Sequence, residues 1–269
     1  MTNPLPLSPD AIAADLARLG IAAGDLVMVH AACRAVGPVM GGPDGIIAGL
    51  RRAVGPDGTI MAYLDWEAAW EDFIDADGRV PGVWRPHVVP FDPARTRAAR
   101  DNGALPEFLR TTPGALRSLN PGASVTAIGP LADAMTRDHP LNYGYGPGSP
   151  LARLVERGGK VLMLGAPWDT MTLLHHAEHL ARLPDKTIIR REIPFARPDG
   201  GIDWRWMEEF DTSEPVCDRL PENFIEQIVT DYLATGAGRR DMVGAAPSIL
   251  VDAADILPFA IKWLERTAS

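Results

Sequence analysis

An α/β fold, a sheet covered by helices, is predicted by three observations. Apolar runs of strand length alternate with helix-like stretches over the first 64 residues, the rhythm of β-α-β units. Within Lys160–Gly165 (KVLMLG) the residues Val161–Leu164 are all apolar, as in a strand buried on both faces. The composition is that of a globular chain, 269 residues with 46% hydrophobic and 23% charged, long enough to bury most of its apolar surface without staples.

The elements follow in order. Pro9 and Asp10 introduce an alanine-rich helix over Ala11–Leu19. Gly24-Asp25 opens a strand over Leu26–His30. Gly41-Gly42-Pro43 leads into a helix over Asp44–Val54, and Thr59–Leu64 is a second strand, so the first sheet contacts are expected to be parallel. Asp65–Arg100 breaks the rhythm with Trp66, Trp70 and Trp84 among acids and prolines. An excursion of that length in a compact fold usually carries function. Asn102–Arg110 reads as a short helix, Ser124–Gly129 as a strand and Thr170–Ala181 as a helix after Lys160–Gly165. Thr187–Phe195 and Asp203–Phe210 flank the turn Arg197-Pro198-Asp199-Gly200-Gly201 and read as a hairpin. Asn223–Ala234 and Ser248–Glu265 read as closing helices. No repeat or low-complexity linker divides the chain, so one domain over residues 1–269 is expected, with a long insertion at about 65–100.

Charge and cysteine content narrow the function. The chain carries 26 basic and 35 acidic residues, a net −9. That argues against nucleic acid, which needs a basic footprint, and suits a cationic partner or simple solubility. Cys33 and Cys217 have neither disulfide-scaffold density nor Cys-x-x-Cys spacing. Met1–Asp10 lacks a signal-peptide pattern and no run of about 18 apolar residues exists. A cytoplasmic protein with no membrane partner is expected.

Three histidines fall in one helical turn, Leu174-His175-His176-Ala177-Glu178-His179. Residues three and four apart share a helix face, so His175, Glu178 and His179 point one way and His176 another. The turn follows the end of a buried strand, where open α/β sheets place their sites. Three readings compete. His-x-x-Glu-His is the zinc spacing of inverzincin peptidases. A neutral imidazole at His175, held by a carboxylate, could serve as a general base. The turn could also be a polar helix face satisfied by local hydrogen bonds. His30 and Arg34 end a strand and could meet a phosphate at the loop, although no Walker lysine or dinucleotide glycine pattern is present. Asp65-Trp66-Glu67 with Glu71-Asp72, and Glu208-Glu209-Phe210-Asp211, concentrate negative charge, in the first case beside tryptophans that also suit a cation.

In combination these segments resemble the aminoglycoside 3-N-acetyltransferases along nearly the whole chain. The stretches are Gly24–His30 with Arg34–Pro38, Tyr63–Glu67, Arg117–Val125, Tyr143–Gly146, Gly148–Leu151, Lys160–Gly165, Thr172–Glu178 and Glu208–Asp211. The pattern is most similar to the branch acting on gentamicin-like 4,6-disubstituted antibiotics. The resemblance implies an α/β/α sandwich with a central mixed sheet, unlike the common small acetyltransferase fold. It also implies acetyl transfer from acetyl-CoA to the 3-amine of 2-deoxystreptamine, giving resistance, in a ternary complex and with no metal. By resemblance the catalytic residues are His175, the base, with Glu178, the acid three residues on, and Asp65, the acidic residue of the antibiotic cleft, and either carboxylate could orient the imidazole and stabilise its cation. His30, Ala31, Ala32, Cys33, Arg34, Ala35, Val36 and Gly37 form the coenzyme loop, and Ser124 and Val125 line its channel. Tyr63, Asp65, Trp66, Glu208, Glu209 and Asp211 are expected to hold the cationic aminoglycoside. A monomer or homodimer is expected. One departure is Asn120 before Pro121, where many relatives carry histidine. Asparagine can hydrogen-bond there but cannot move a proton near neutral pH.

Overall fold

The structure, a computed structural model, describes residues 5–212 and 214–269. Its first helix, α1 (Pro9–Leu19), starts as the sequence requires. The Ser8 hydroxyl accepts from Ala11 N at 3.1 Å, Pro9 occupies the first turn, and Gly20 closes the helix in the left-handed region. β1 (Leu26–Ala31), α2 (Pro43–Val54) and β2 (Thr59–Tyr63) complete the expected β-α-β unit. Then come α3 (Ala104–Thr111), β3 (Leu116–Arg117), β4 (Val125–Ile128), α4 (Ala132–Thr136), α5 (Pro150–Glu156), β5 (Lys160–Leu164) and α6 (Leu173–Leu180). β6 (Ile188–Ala196) and β7 (Ile202–Phe210) precede α7 (Phe224–Ala234), β8 (Arg239–Val243), β9 (Ala246–Asp252) and α8 (Ala253–Thr267).

Seven strands form one sheet in the order β3-β4-β2-β1-β5-β9-β8. Only β2, β1 and β5 run parallel, while β4, β3, β9 and β8 each pair antiparallel with their neighbours. The sheet is therefore mixed, not parallel throughout. Alternation along each strand feeds two cores. Leu26, Met28, Met61, Val161 and Met163 pack with α4 to α8 on one face. Val27, Val29, Ile60, Leu162 and Leu164 pack with α1 to α3 on the other. The result is an α/β/α sandwich. Among the described residues no helix is long and apolar enough to cross a membrane.

The expected helix over Ser248–Glu265 needs correction. Ser248–Asp252 continues β9, and the helix begins only at Ala253. Ile249, Leu250 and Val251 are all buried because their alternate faces meet opposite cores. Such a doubly buried strand shows no period of two and mimics a helix start. β9 turns at Gly244, φ 58°, into a hairpin with β8, whose Arg239–Val243 is a largely exposed edge strand with no apolar run to mark it.

The excursion at 65–100 forms only short 3-10 turns at Ala69–Phe73, Arg85–His87 and Arg100–Asn102. It lies along the β6–β7 hairpin, which pairs from Ile188↔Phe210 to Ala196↔Ile202. Glu192 N donates to Gly78 O, Phe91 N to Pro194 O, and Ala196 N to Phe91 O, at 2.7–2.9 Å. Trp66, Val80, Phe91 and Ile193 form a small core between the two segments.

Candidate active site

β1 connects through α2 to β2 on one side, whereas β5 pairs on the other. The carboxyl ends of β1 and β5 thus flank a topological switch point, the crevice where open α/β sheets receive ligands. A cavity of about 170 Å³ sits there, lined by His30, Ala31, Ala32, Tyr63, Asn102, Gly103 and Pro167 among others. Its loop continues as a 3-10 turn over Cys33–Val36 and is pinned to β5 by Ala32 N donating to Leu164 O at 3.0 Å. Gly165 permits that approach, because a Cβ there would stand 2.8 Å from the Ala35 methyl. Burial, reinforced by His175, lowers the His30 imidazole to about 4, so it is neutral near pH 7. Its Nε2 is buried and has no hydrogen-bond partner. Burial raises the half-buried Cys33 thiol. Arg34 is exposed.

Beyond Tyr63 opens an acidic cleft of about 330 Å³ between the excursion, the Asn120–Ala123 turn, α6 and the hairpin. His175 forms part of its wall. His175 Nδ1 lies 2.6 Å from Glu178 Oε2, and the Glu178 side chain is 1% exposed. A carboxylate only accepts, so Nδ1 carries the proton and Nε2 is left with the lone pair. His176 turns inward and bonds Tyr145 O, while His179 Nε2 lies 2.9 Å from Glu209. The two imidazoles of the zinc-like spacing thus go to different carboxylates. Among the described residues no group of three metal-ligating side chains gathers.

Asp65 is held in the left-handed region at φ 54°. Its carbonyl accepts from Arg117 Nη2 at 2.7 Å and from the Ser124 hydroxyl at 3.0 Å. Burial pushes its carboxyl up to about 7, against the Trp66 N–H, Arg117 and Arg191, with Glu71 adding to the rise. The Tyr63 and Tyr145 hydroxyls lie 2.6 Å apart and both reach Gly122 O. Asn120 ties down the adjoining turn, donating to Pro140 O and Leu141 O and accepting from Ala123 N.

The structure brings Tyr63, Asp65, His175, Glu209 and Asp211 into the cleft, with Glu178 behind His175. Ser124 and Val125 lie behind Asp65, Ser124 as its clamp and Val125 in the core, and not in the walls of the His30 cavity. Trp66 packs with Phe91 and also borders a separate apolar cavity of about 660 Å³ that meets the switch-point cavity at Gly103. Glu208 faces away and takes a bond from Tyr143. Sequence reasoning missed Asn102 and Gly103 in one wall and Arg191 and Met207 in the other. Strand alternation could have found the last two, since Arg191, Met207 and Glu209 share a face of the hairpin.

The family profile of aminoglycoside 3-N-acetyltransferases matches residues 28–265. The chain belongs to the aminoglycoside 3-N-acetyltransferase family. It is 48% identical to aminoglycoside N(3)-acetyltransferase III of Pseudomonas aeruginosa, over 92% of this chain and 89% of that one. It is 44% identical to aminoglycoside N(3)-acetyltransferase VIII of Streptomyces fradiae, over 97% and 92%. The solved structure of AAC-IIIb in binary complex with CoASH superposes with a TM-score of 0.96 at 61% identity, covering 97% of each chain. AAC-VIa bound to sisomicin superposes at 0.92 with 37% identity, covering 98% of this chain and all of that one. The family's acetyltransferases use acetyl-CoA as co-substrate, and the hydrolase reading of His175, Glu178 and His179 is set aside.

Proposed function

We propose that the chain acetylates the 3-amine of the 2-deoxystreptamine ring of a cationic aminoglycoside directly from acetyl-CoA, in a ternary complex, and so gives resistance. The observation that carries this reading is the His175–Glu178 pair, set in an acidic cleft that shares Tyr63 with the switch-point cavity. The antibiotic takes the acidic cleft. The thioester reaches it from the His30–Gly37 side, where the unpartnered His30 Nε2 supports a polar ligand. The chain works as one domain with an insertion at 65–100, in the cytoplasm where acetyl-CoA is made, as a monomer or homodimer without nucleic acid or membrane.

The substrate amine arrives as an ammonium and must lose a proton before it can attack. His175 Nε2 accepts it, and Glu178 stabilises the imidazolium through Nδ1–H. The amine lone pair then forms the C–N bond at the thioester carbonyl and gives an oxyanion, which backbone N–H groups near the coenzyme loop would stabilise. Collapse breaks the C–S bond. The His175 proton passes to the leaving sulfur, a second nitrogen proton goes to solvent, and the third stays on the amide. Ammonium and acetyl-CoA thus become amide, free CoA thiol and one released proton. No enzyme nucleophile is needed, so Cys33 takes no part.

The test is thiol release from acetyl-CoA with a panel of aminoglycosides. His175→Ala should lower kcat by about 10²–10⁴ while antibiotic binding, read by calorimetry, persists. A near-normal kcat in that variant overturns the assignment of the base.

A further inference from the structure

A cationic side chain is out of place in a cleft built for a polycation, yet Arg191 lines this one. Alternation along β6 sends Arg190 to the outer face, where it stacks 4.7 Å from the Trp206 ring, and Arg191 to the cleft face. Arg191 Nη1 donates to Glu71 Oε2 at 3.0 Å across the cleft. The remaining carboxylates are placed differently. Glu209 accepts from Gly144 N and Phe210 N and faces His179, and Asp211 follows at the end of β7. Glu71 and Arg191 thus offset one another as an ion pair, with Asp65 close enough to feel both charges, and Glu209 and Asp211 lie at the other end.

We propose that Arg191 is a charge filter that sets which sugar ring this cleft accepts. This deepens the acetyltransferase reading and rests on it. A neutral, polyhydroxylated ring can meet the ion pair without breaking it, because a hydroxyl can donate to a Glu71 oxygen and accept from a spare guanidinium N–H. An ammonium at the same place faces a guanidinium in a partly desolvated wall. It can take the Glu71 oxygen that Arg191 leaves free only by standing beside that guanidinium. Like charges so opposed discriminate between partners. The ammonium-rich rings are left to the Glu209–Asp211 end.

The experiment measures kcat/KM for pairs of aminoglycosides that differ by one hydroxyl-to-amine exchange, one pair for each sugar ring. The wild-type chain should favour the hydroxyl member of one pair by about tenfold, through KM. Arg191→Gln should flatten that ratio. Glu71→Gln, which removes the guanidinium's ion-pair partner, should steepen it. A purely structural role for the ion pair would move both variants in the same direction and overturns the filter. So does a ratio unchanged within about twofold for every pair in both variants. Arg191→Lys, which keeps the charge, should keep the preference even where Arg191→Gln folds poorly, and its loss in that variant counts against the filter. If the wild-type chain acetylates no member of any pair, the acetyltransferase reading falls and takes the filter with it. If it acetylates them and the ratios do not respond, the filter alone falls.

Discussion

The switch-point cavity and the acidic cleft share Tyr63 and are otherwise built on different principles. The first is assembled at the ends of buried parallel strands, and much of its wall is small or glycine. Its shape is set by backbone. The second is assembled from the excursion, a turn and a hairpin, and its character comes from side chains: Arg117 and Ser124 clamping the Asp65 carbonyl, Glu71 with Arg191, Glu209 with His179. A coenzyme that never varies fits a backbone-defined site. A substrate class that varies fits one whose charges can be exchanged without disturbing the sheet.

The largest break in that contrast is expected at the residue that serves both sides. Glu178 is buried and holds His175, yet it touches neither cavity wall. Glu178→Gln keeps the shape and a hydrogen-bond acceptor but loses the charge that stabilises the imidazolium. We expect kcat to fall about 10²-fold, with both KM values near those of the wild-type chain. A drop of less than about threefold would remove Glu178 from the positioning role.

A second prediction concerns the acidic cleft alone. The Asp65 carboxyl is raised to about 7, chiefly by burial. A raised acid binds its proton more tightly in the folded chain than in the unfolded one. Its contribution to stability is therefore fully present at low pH and is lost as pH rises toward 7. Asp65→Asn removes that loss, and asparagine tolerates the positive φ. The variant should match the wild-type Tm near about pH 4 and exceed it near about pH 8. Its antibiotic KM should be about tenfold higher near pH 8, because the wild-type carboxylate is ionised there. A Tm difference independent of pH would show that Asp65 is not the group titrating.

Legibility in the sequence follows the same divide. The strands under the switch point are readable because Leu26–Val29 and Val161–Leu164 are uninterrupted apolar runs. The His175–Glu178 pair was readable because i,i+3 spacing fixes contact on a helix. The role of Ser124 was not. The resemblance implies a channel-lining residue, and the antiparallel pairing of β4 with β2 also sets it beneath Asp65. Arg191 was hidden for a related reason: its face depends on hairpin register, and its partner Glu71 is 120 residues away. Ser248–Asp252 was misread because a strand between two cores has no polar face to mark it.

The smallest effect is expected on the backbone side, at Gly103. With φ 79° and ψ −171° this residue occupies a region open essentially to glycine, at the point where α3 begins. An added Cβ would also stand 3.3 Å from Ala31 O in the cavity wall. Gly103→Ala should therefore cost about 1–3 kcal/mol of stability and push the wall outward. Because the strain acts on the switch-point cavity and not on the cleft, KM for acetyl-CoA should rise about threefold while antibiotic KM stays put. Steady-state kinetics with each substrate varied in turn separates the two. If both KM values rose together, the two cavities would be mechanically coupled, and the division into a backbone-defined site and a side-chain-defined site would not hold.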